Sequence, residues 1–242
     1  MTSRGPGTGR IAALLFLALA LPATPLHAQT IRPVIVEYTR NKAQGRFELV
    51  NDGVTPLNVV LEPKSFDITE AGEAIYRPLD PRIHLRLSTM SVRIPAKQSR
   101  YVFYEATCDS LPAWFVIPCT FSGLPPQRGM EVRVELPHTV YLVQKHPLAR
   151  EDVAIRTVVF DGVKHVVKVE VENVGPRLGR AVEADVAAGR HHERQPSFPM
   201  PPRARRWLAI PWNETGNPER VVIRFHGFSL ERKLDEAVRA EG

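Results

Sequence analysis

The segment that most constrains the fold is residues 129–143, in which apolar and polar side chains alternate. The apolar positions of its first half are Met130, Val132, Val134 and Leu136. Successive side chains of a strand point to opposite faces, so the alternation predicts one long strand with an apolar face and a charged face. Strands are usually about 5–6 residues long. Two interpretations follow: the whole apolar face packs in its own core, or the first half offers its side chains to another protein.

Most of the remaining chain also has the composition of strands, rich in Val, Ile, Phe and Tyr and interrupted by Gly, Pro, Asn and Asp. The other predicted strands cover residues 32–38, 45–51, 57–66, 91–94, 100–107, 113–121, 153–160, 164–172, 180–186, 206–210 and 220–228. The 22 prolines argue against long helices. Residues 230–242 are charged and contain helix formers, which is typical of a short helix or of a frayed tail.

The spacing of these strands predicts an all-β chain made of two tandem immunoglobulin-like β-sandwich domains. The pattern restarts after residue 147, so we expect one domain over residues 29–147 and a second over 148–242 that ends in a short charged tail. A short internal repeat agrees with this division. Residues 46–53 and 167–175 are both alternating strands that end in Asn and then Gly, as expected for a strand that turns sharply into its neighbour.

The N-terminus predicts a cleaved secretory signal peptide over residues 1–28. Arg4 and Arg10 precede an uninterrupted apolar run over residues 11–21, and a proline-containing stretch then ends at the small residue Ala28. The apolar run is too short to span a bilayer, which needs about 20 residues. We therefore expect an exported, periplasmic protein whose mature chain is not inserted in a membrane.

The charge and the cysteines set further limits. The formal net charge of +6 is distributed along the chain and includes both arginines of the leader, so it does not indicate a nucleic-acid partner. Cys108 and Cys119 are the only cysteines. An oxidising compartment permits a disulfide between them, and two buried free thiols are the alternative.

Sequence motifs for catalysis, phosphate binding or metal binding are absent, which argues against an enzyme and predicts no cofactor and no metal. His191 and His192 are adjacent, so in a strand they would point to opposite faces and make a poor metal pair. Five arginines surround the proline-rich residues 196–202, which predicts a solvated basic loop, with an anionic or protein partner as the alternative. These are Arg190, Arg194, Arg203, Arg205 and Arg206.

The order of these features resembles the PapD-like periplasmic pilus chaperones. The resemblance rests on residues 47–53 with 56–60, on residues 90–102, in which a strand is followed by a Pro-small-x-Gln segment and another strand, and on the loop that leads into residues 129–143. It covers most of residues 30–145. It implies that Met130, Val132, Val134 and Leu136 form a strand donated to a secreted pilus subunit, with the subunit and an outer-membrane usher as partners.

The resemblance also implies an anchor for the carboxylate of the subunit, made by an early Arg and by a Lys on the long strand. Arg40 is the only nearby candidate for the Arg, although it lies closer to Asn51 than in the family, and Thr139 occupies the position of the Lys. The alternative to a chaperone is a structural or adhesive immunoglobulin-like envelope protein in which the long strand is wholly internal.

Overall fold

The computed structural model describes residues 29–124 and 130–234, so the predicted signal peptide and the end of the charged tail lie outside the described residues. The described chain consists of strands apart from its loops and one three-residue 3-10 helix, Arg150–Asp152. Within this part of the chain, no helix has the length and apolar character needed to cross a membrane. The prediction of an all-β chain is confirmed.

Eleven strands precede the 3-10 helix and seven follow it. The first eleven are β1 (Gln29–Arg32), β2 (Ile35–Tyr38), β3 (Lys42–Asn51), β4 (Leu57–Leu61), β5 (Lys64–Ile68), β6 (Ala74–Pro78), β7 (Ile83–Leu87), β8 (Ser91–Ile94), β9 (Gln98–Cys108), β10 (Ala113–Ser122) and β11 (Val134–Leu142). The others are β12 (Val153–Asp161), β13 (Val166–Asn173), β14 (Gly179–Ala188), β15 (His191–Met200), β16 (Arg205–Pro211), β17 (Arg220–Phe225) and β18 (Phe228–Lys233).

The first eleven strands form a sandwich of two sheets. One sheet has the order β1-β3-β9-β7, and the other has the order β2-β11-β10-β4-β8, with β5 pairing to β10 and β6 pairing to β5. Alternate residues of the central strands meet between the sheets, among them Phe47, Val102 and Phe115, each with no exposed surface. The alternation read from the sequence is therefore the inward and outward alternation of these strands.

The last seven strands form a second sandwich, with sheets ordered β12-β13-β16 and β15-β14-β17-β18. Its core contains Val167, Val169 and Val171 of β13 together with the buried Trp212. The fold is thus two β-sandwiches in tandem.

The internal repeat corresponds to the same hydrogen-bonded corner in each sandwich. Asn51 ends β3 and is fully buried; its amide donates to the carbonyls of Thr55, Ile94 and Pro95 at 2.8–3.1 Å, and its Oδ1 accepts from the N–H of Gly53 at 3.0 Å. Asn173 at the end of β13 makes the equivalent set of bonds, to the carbonyls of Arg177, Met200 and Pro201 and from Gly175. One buried side chain therefore satisfies four backbone groups where the chain turns.

Several sequence predictions need correction. Residues 32–38 do not form one strand, because β1 ends at Arg32 and β2 begins at Ile35 in the other sheet. Residues 57–66 form two strands, β4 and β5, because Pro63 between them has no N–H to donate. The predicted proline-rich loop is largely strand β15, which tolerates Pro196 and Pro199 because it lies at the edge of its sheet. Residues 230–233 belong to strand β18 instead of a helix or tail. The long strand begins at Val134, several residues later than predicted.

Candidate functional site

The candidate site is the free edge of β11. This strand pairs antiparallel with β10 along its whole length, from Val134 opposite Phe121 to Leu142 opposite Ala113. On its other side it pairs with β2 in parallel, and that pairing covers only residues 139–142. Among the described residues, no strand pairs with residues 134–137 on that side. Such an edge presents unpaired backbone N–H and C=O groups to which another strand can bond.

The four predicted donor residues fall into two groups. Val134 and Leu136 are half-buried and pack against the core of the first sandwich. Met130 and Val132 precede the strand; Met130 has 65% of its surface exposed, and Val132 is half-buried. Val134 and Leu136 therefore contact their own core, whereas Met130 is exposed, and the donation of these side chains to another protein stays a prediction.

The two sandwiches meet beside β11 in a small apolar cluster. Phe66, Val116 and Tyr141 of the first sandwich pack with Leu178 of the second. Gln144, just after β11, donates its side-chain amide to the carbonyl of Leu178 at 2.8 Å and accepts from the Leu178 N–H at 3.2 Å. The end of β11 is thereby fixed against the second sandwich.

The β5–β6 hairpin makes a second contact between the sandwiches. The backbone N–H of Trp207 on β16 donates to the carbonyl of Glu70 at 2.7 Å. Gly72 in the hairpin turn has φ +90° and lies against the guanidinium of Arg206, so a side chain at this position would be strained and would collide with it.

Two arginines of the second sandwich lie at its contacts with the first: Arg180 lines the cleft between the sandwiches, and Arg206 lies against the β5–β6 hairpin. Arg180 on β14 donates from Nε to the carboxylate of Glu37 at 2.9 Å, and its guanidinium lies 5.2 Å from the ring centre of Tyr141. Arg206 lies over the ring of Phe198, and its buried Nε has no hydrogen-bond partner. Burial lowers the pKa of Arg206 and raises that of the Tyr141 hydroxyl. The contacts between the sandwiches are therefore partly desolvated, and among the described residues Arg180 is paired with a carboxylate whereas Arg206 is not.

The structure does not bring the predicted carboxylate anchor together. Arg40 is exposed in the bend between β2 and β3 and makes no hydrogen bond or ion pair with a described residue. Thr139 faces Ile35 of β2 across the parallel ladder. Arg180 of the second sandwich also lies beside the end of β11, over the ring of Tyr141. No sequence signal pointed to Arg180, because its contacts with Glu37 and Tyr141 join residues far apart in the chain.

The disulfide permitted by the sequence is absent from the structure. Cys108 and Cys119 are both free and buried. Cys108 ends β9 in one sheet, whereas Cys119 is six residues into β10 in the other sheet, roughly 20 Å along that strand from its first residue at about 3.3 Å per residue. A disulfide needs Cα atoms about 4.4–6.8 Å apart, so the strand geometry accounts for the two free thiols.

The adjacent histidines contact separate acids. His192 contacts the buried Asp185 at 3.1 Å, and His191 contacts Glu214 at 3.0 Å. The described residues contain no group of three or more His, Cys, Asp and Glu side chains that could hold a metal ion. Arg194 and Arg224 also approach Asp185, so the carboxylate lies within a charge network on the face of β14.

Comparison with known proteins gives the class of the fold. No protein-family model matches the sequence, and no curated protein matches it significantly. Among solved structures, the YadV chaperone is 13% identical, with a TM-score of 0.51 over 85% of this chain and 99% of that one. A chain from the Salmonella enterica SafA pilin complex with the SafB chaperone is 14% identical, with a TM-score of 0.53 over 88% of this chain and 99% of that one.

These similarities extend over both sandwiches and cover nearly all of each matched chain. At such identities they show the fold, which is the two-sandwich fold of the PapD-like pilus chaperones. The resemblance inferred from the order of the sequence features is confirmed at this level.

Proposed function

We propose that this protein is a periplasmic, non-enzymatic chaperone that binds secreted pilus-type subunits through the free edge of β11. The observation that carries the proposal is the end of the β2 pairing at Thr139, which leaves residues 134–137 without a strand neighbour on one side among the described residues. A subunit that lacks a strand would pair with this edge and place its own core against apolar side chains from the same segment.

Met130 and Val132 are the residues best placed to contribute such side chains. Met130 is the more exposed of the two, and both precede the part of β11 that packs against its own sandwich. Burying each side chain would contribute roughly 1.5–3 kcal/mol, before the costs of association and ordering are subtracted. Val134 and Leu136 already bury part of their side-chain surface in their own core, so binding of a subunit would bury less additional apolar surface at these two positions.

The resemblance assigns the binding of the subunit carboxylate to Arg40, but the arginines at the contacts between the sandwiches are better placed to bind it. Arg180 lines the cleft, and Arg206 lies against the neighbouring β5–β6 hairpin, where its buried Nε has no hydrogen-bond partner among the described residues. We propose that a carboxylate of the subunit binds to these groups, because a buried guanidinium is stabilised by a charge-assisted hydrogen bond. An outer-membrane usher remains part of the proposal as the protein that would accept the loaded subunit.

The experiment is co-expression of the chain with the small secreted proteins encoded beside its gene, followed by isolation of a defined one-to-one complex. The double variant Met130→Asp/Val132→Asp should reduce recovery of the complex at least tenfold, because charged side chains cannot enter the core of a subunit. Its matched control is Val163→Asp, since Val163 is 91% exposed in the second sandwich and far along the chain. Unchanged recovery with the double variant would contradict the proposal.

The alternative is a structural or adhesive envelope protein without chaperone activity. It is favoured by the packing of Val134 and Leu136 against their own core. This alternative predicts that no neighbouring secreted protein forms a complex with the wild-type chain, and that the double Asp variant is indistinguishable from the wild type in every binding measurement.

A further inference from the structure

His138 occupies the point at which β2 joins β11. Two consecutive contacts hold the chain here: Nδ1 of His138 lies 2.7 Å from the carbonyl of Pro33, and the N–H of Thr139 donates to the carbonyl of Val34 at 2.7 Å. The parallel ladder of β2 and β11 begins directly after them, with Thr139 opposite Ile35. The contacts of His138 therefore lie at the boundary between the paired and the free parts of the β11 edge.

The imidazole is fully buried among aromatic rings. It stacks on Phe47 with ring centres 4.4 Å apart and lies 5.4 Å from the ring of Tyr104. A carbonyl can only accept a hydrogen bond, so Nδ1 carries the proton and donates to Pro33. Nε2 is then a buried acceptor, and it has no hydrogen-bond partner. A proton added at Nε2 would create a charged donor with no acceptor in an apolar environment.

The strands around the ring supply no carboxylate to compensate such a charge. The titratable groups that face it are the phenols of Tyr104 and Tyr38, whose hydroxyls lie 3.0 Å apart. On β1 and β3, Arg32 and Glu48 point to the outer face, 3.9 Å from each other. Most of the remaining charged residues of the surrounding strands point outward: on β3 Lys42 and Arg46, on β9 Glu105, on β11 Glu135, and on β2 Glu37, which pairs with Arg180. Arg100 lies opposite the buried Leu49 near the start of β9, where its side chain is exposed, and as a cation it would not compensate the charge. The strand β10, which lies opposite His138 at Ile117, carries no charged side chain.

We infer that His138 is a positioning residue that fixes where β2 leaves β11, and that its protonation releases β2 and lengthens the free edge from residues 134–137 to the whole strand. Opening of the junction moves the Pro33 segment away and lets water reach the ring. The protonated form then favours the open state, since only there can its charge be solvated. The consequence for subunit binding rests on the proposed function, whereas the opening itself does not.

The size of the effect follows from the environment of the ring. Burial lowers the pKa of His138 to about 4, against an opposing smaller effect of the bond to Pro33. If the open junction restores the ordinary value of about 6.5, the opening equilibrium constant should rise on the order of 100-fold between pH 7 and pH 4. Nearly all of that rise should occur below pH 6.5.

The test is amide hydrogen exchange of the purified protein at pH 7.0 and pH 4.0, corrected for the pH dependence of intrinsic exchange. In the wild type, opening at β2 (Ile35–Tyr38) should increase on the order of 100-fold, while amides of β13 in the second sandwich serve as the internal reference. In His138→Phe, which keeps the ring stacking and cannot titrate, the increase should be less than threefold. If that variant does not fold, His138→Gln, which retains a donor for Pro33, carries the same expectation.

The matched control is His84→Phe. His84 is a strand histidine of the same sandwich whose side chain is 62% exposed, so its replacement should leave the acid-induced opening intact. The inference is overturned if wild-type β2 opens less than threefold more at pH 4.0, or if the non-titrating variant opens as much as the wild type. Neither result would bear on whether β11 binds subunits, which the co-expression experiment tests separately.

Discussion

Replacing Asn51 by Ala should destabilise the first sandwich more than almost any other single polar substitution. The side chain is fully buried, and its loss leaves three carbonyls and one backbone N–H without their partner. The bond to the Ile94 carbonyl is buried, so its loss should cost the full desolvation penalty of about 1–3 kcal/mol. The other three bonds are partly accessible, and water can replace them in part.

Together these losses give an expected cost of about 3–6 kcal/mol, against a typical domain stability of about 5–15 kcal/mol. Asn51→Asp should cost more than Asn51→Ala, because it places a carboxylate against three carbonyl oxygens. Asn173 makes the same set of bonds in the second sandwich, so Asn173→Ala should have a similar cost there.

Urea unfolding followed by fluorescence and circular dichroism measures these differences. Trp114 lies in the first sandwich, and Trp207 and Trp212 lie in the second, which lets the two transitions be followed separately when one Trp set is replaced by Phe. Asn58→Ala is the matched control, since Asn58 is an exposed strand residue. A cost below about 1 kcal/mol for Asn51→Ala, or an equal cost for the control, would refute the reasoning.

Two further predictions concern the thiols and the cleft. Burial, with a smaller contribution from Glu135, raises the pKa of Cys119 to about 12, and burial also raises the pKa of Cys108. Ellman's reagent at pH 8 should therefore label neither thiol in the native protein and both thiols after unfolding in urea. Labelling of fewer than two thiols after unfolding would contradict the presence of two free cysteines. Arg180→Ala removes the Glu37 ion pair and the contact with the Tyr141 ring, so it should lower the free energy of unfolding by about 1–2 kcal/mol. A double-mutant cycle with Glu37→Gln measures the ion pair separately, and a coupling energy of zero would show that the pair contributes nothing.

The sequence predicted those parts of the fold that depend on local alternation. Strands β3, β9 and β10 were found with small errors at their ends, because each has one face against the core. The start of β11 was misplaced for a physical reason. Alternation continues through Met130 and Val132, but a strand also needs a neighbour, and the pairing with β10 begins at Val134.

Other features depend on contacts between distant segments, which periodicity does not encode. Spacing alone could not show that Cys108 and Cys119 lie in different sheets, and nothing near β11 in the sequence pointed to Arg180. The prolines of β15 predict a loop when only the sequence is known, because edge and central strands look alike until the sheet order is known. By contrast, the Asn-x-Gly repeat was visible early, because the whole corner is encoded within a few residues of each asparagine.

The position of those prolines has a consequence for behaviour at high concentration. β15 is ten residues long and forms one border of its sheet, which would ordinarily make it a template for cross-β aggregation. Pro196 and Pro199 remove amide protons from this border and so interrupt any continuous ladder that a second molecule could build on it. A concentrated solution of this protein should therefore not form fibres through the edge of β15, and replacing both prolines by Thr should produce fibres that bind thioflavin.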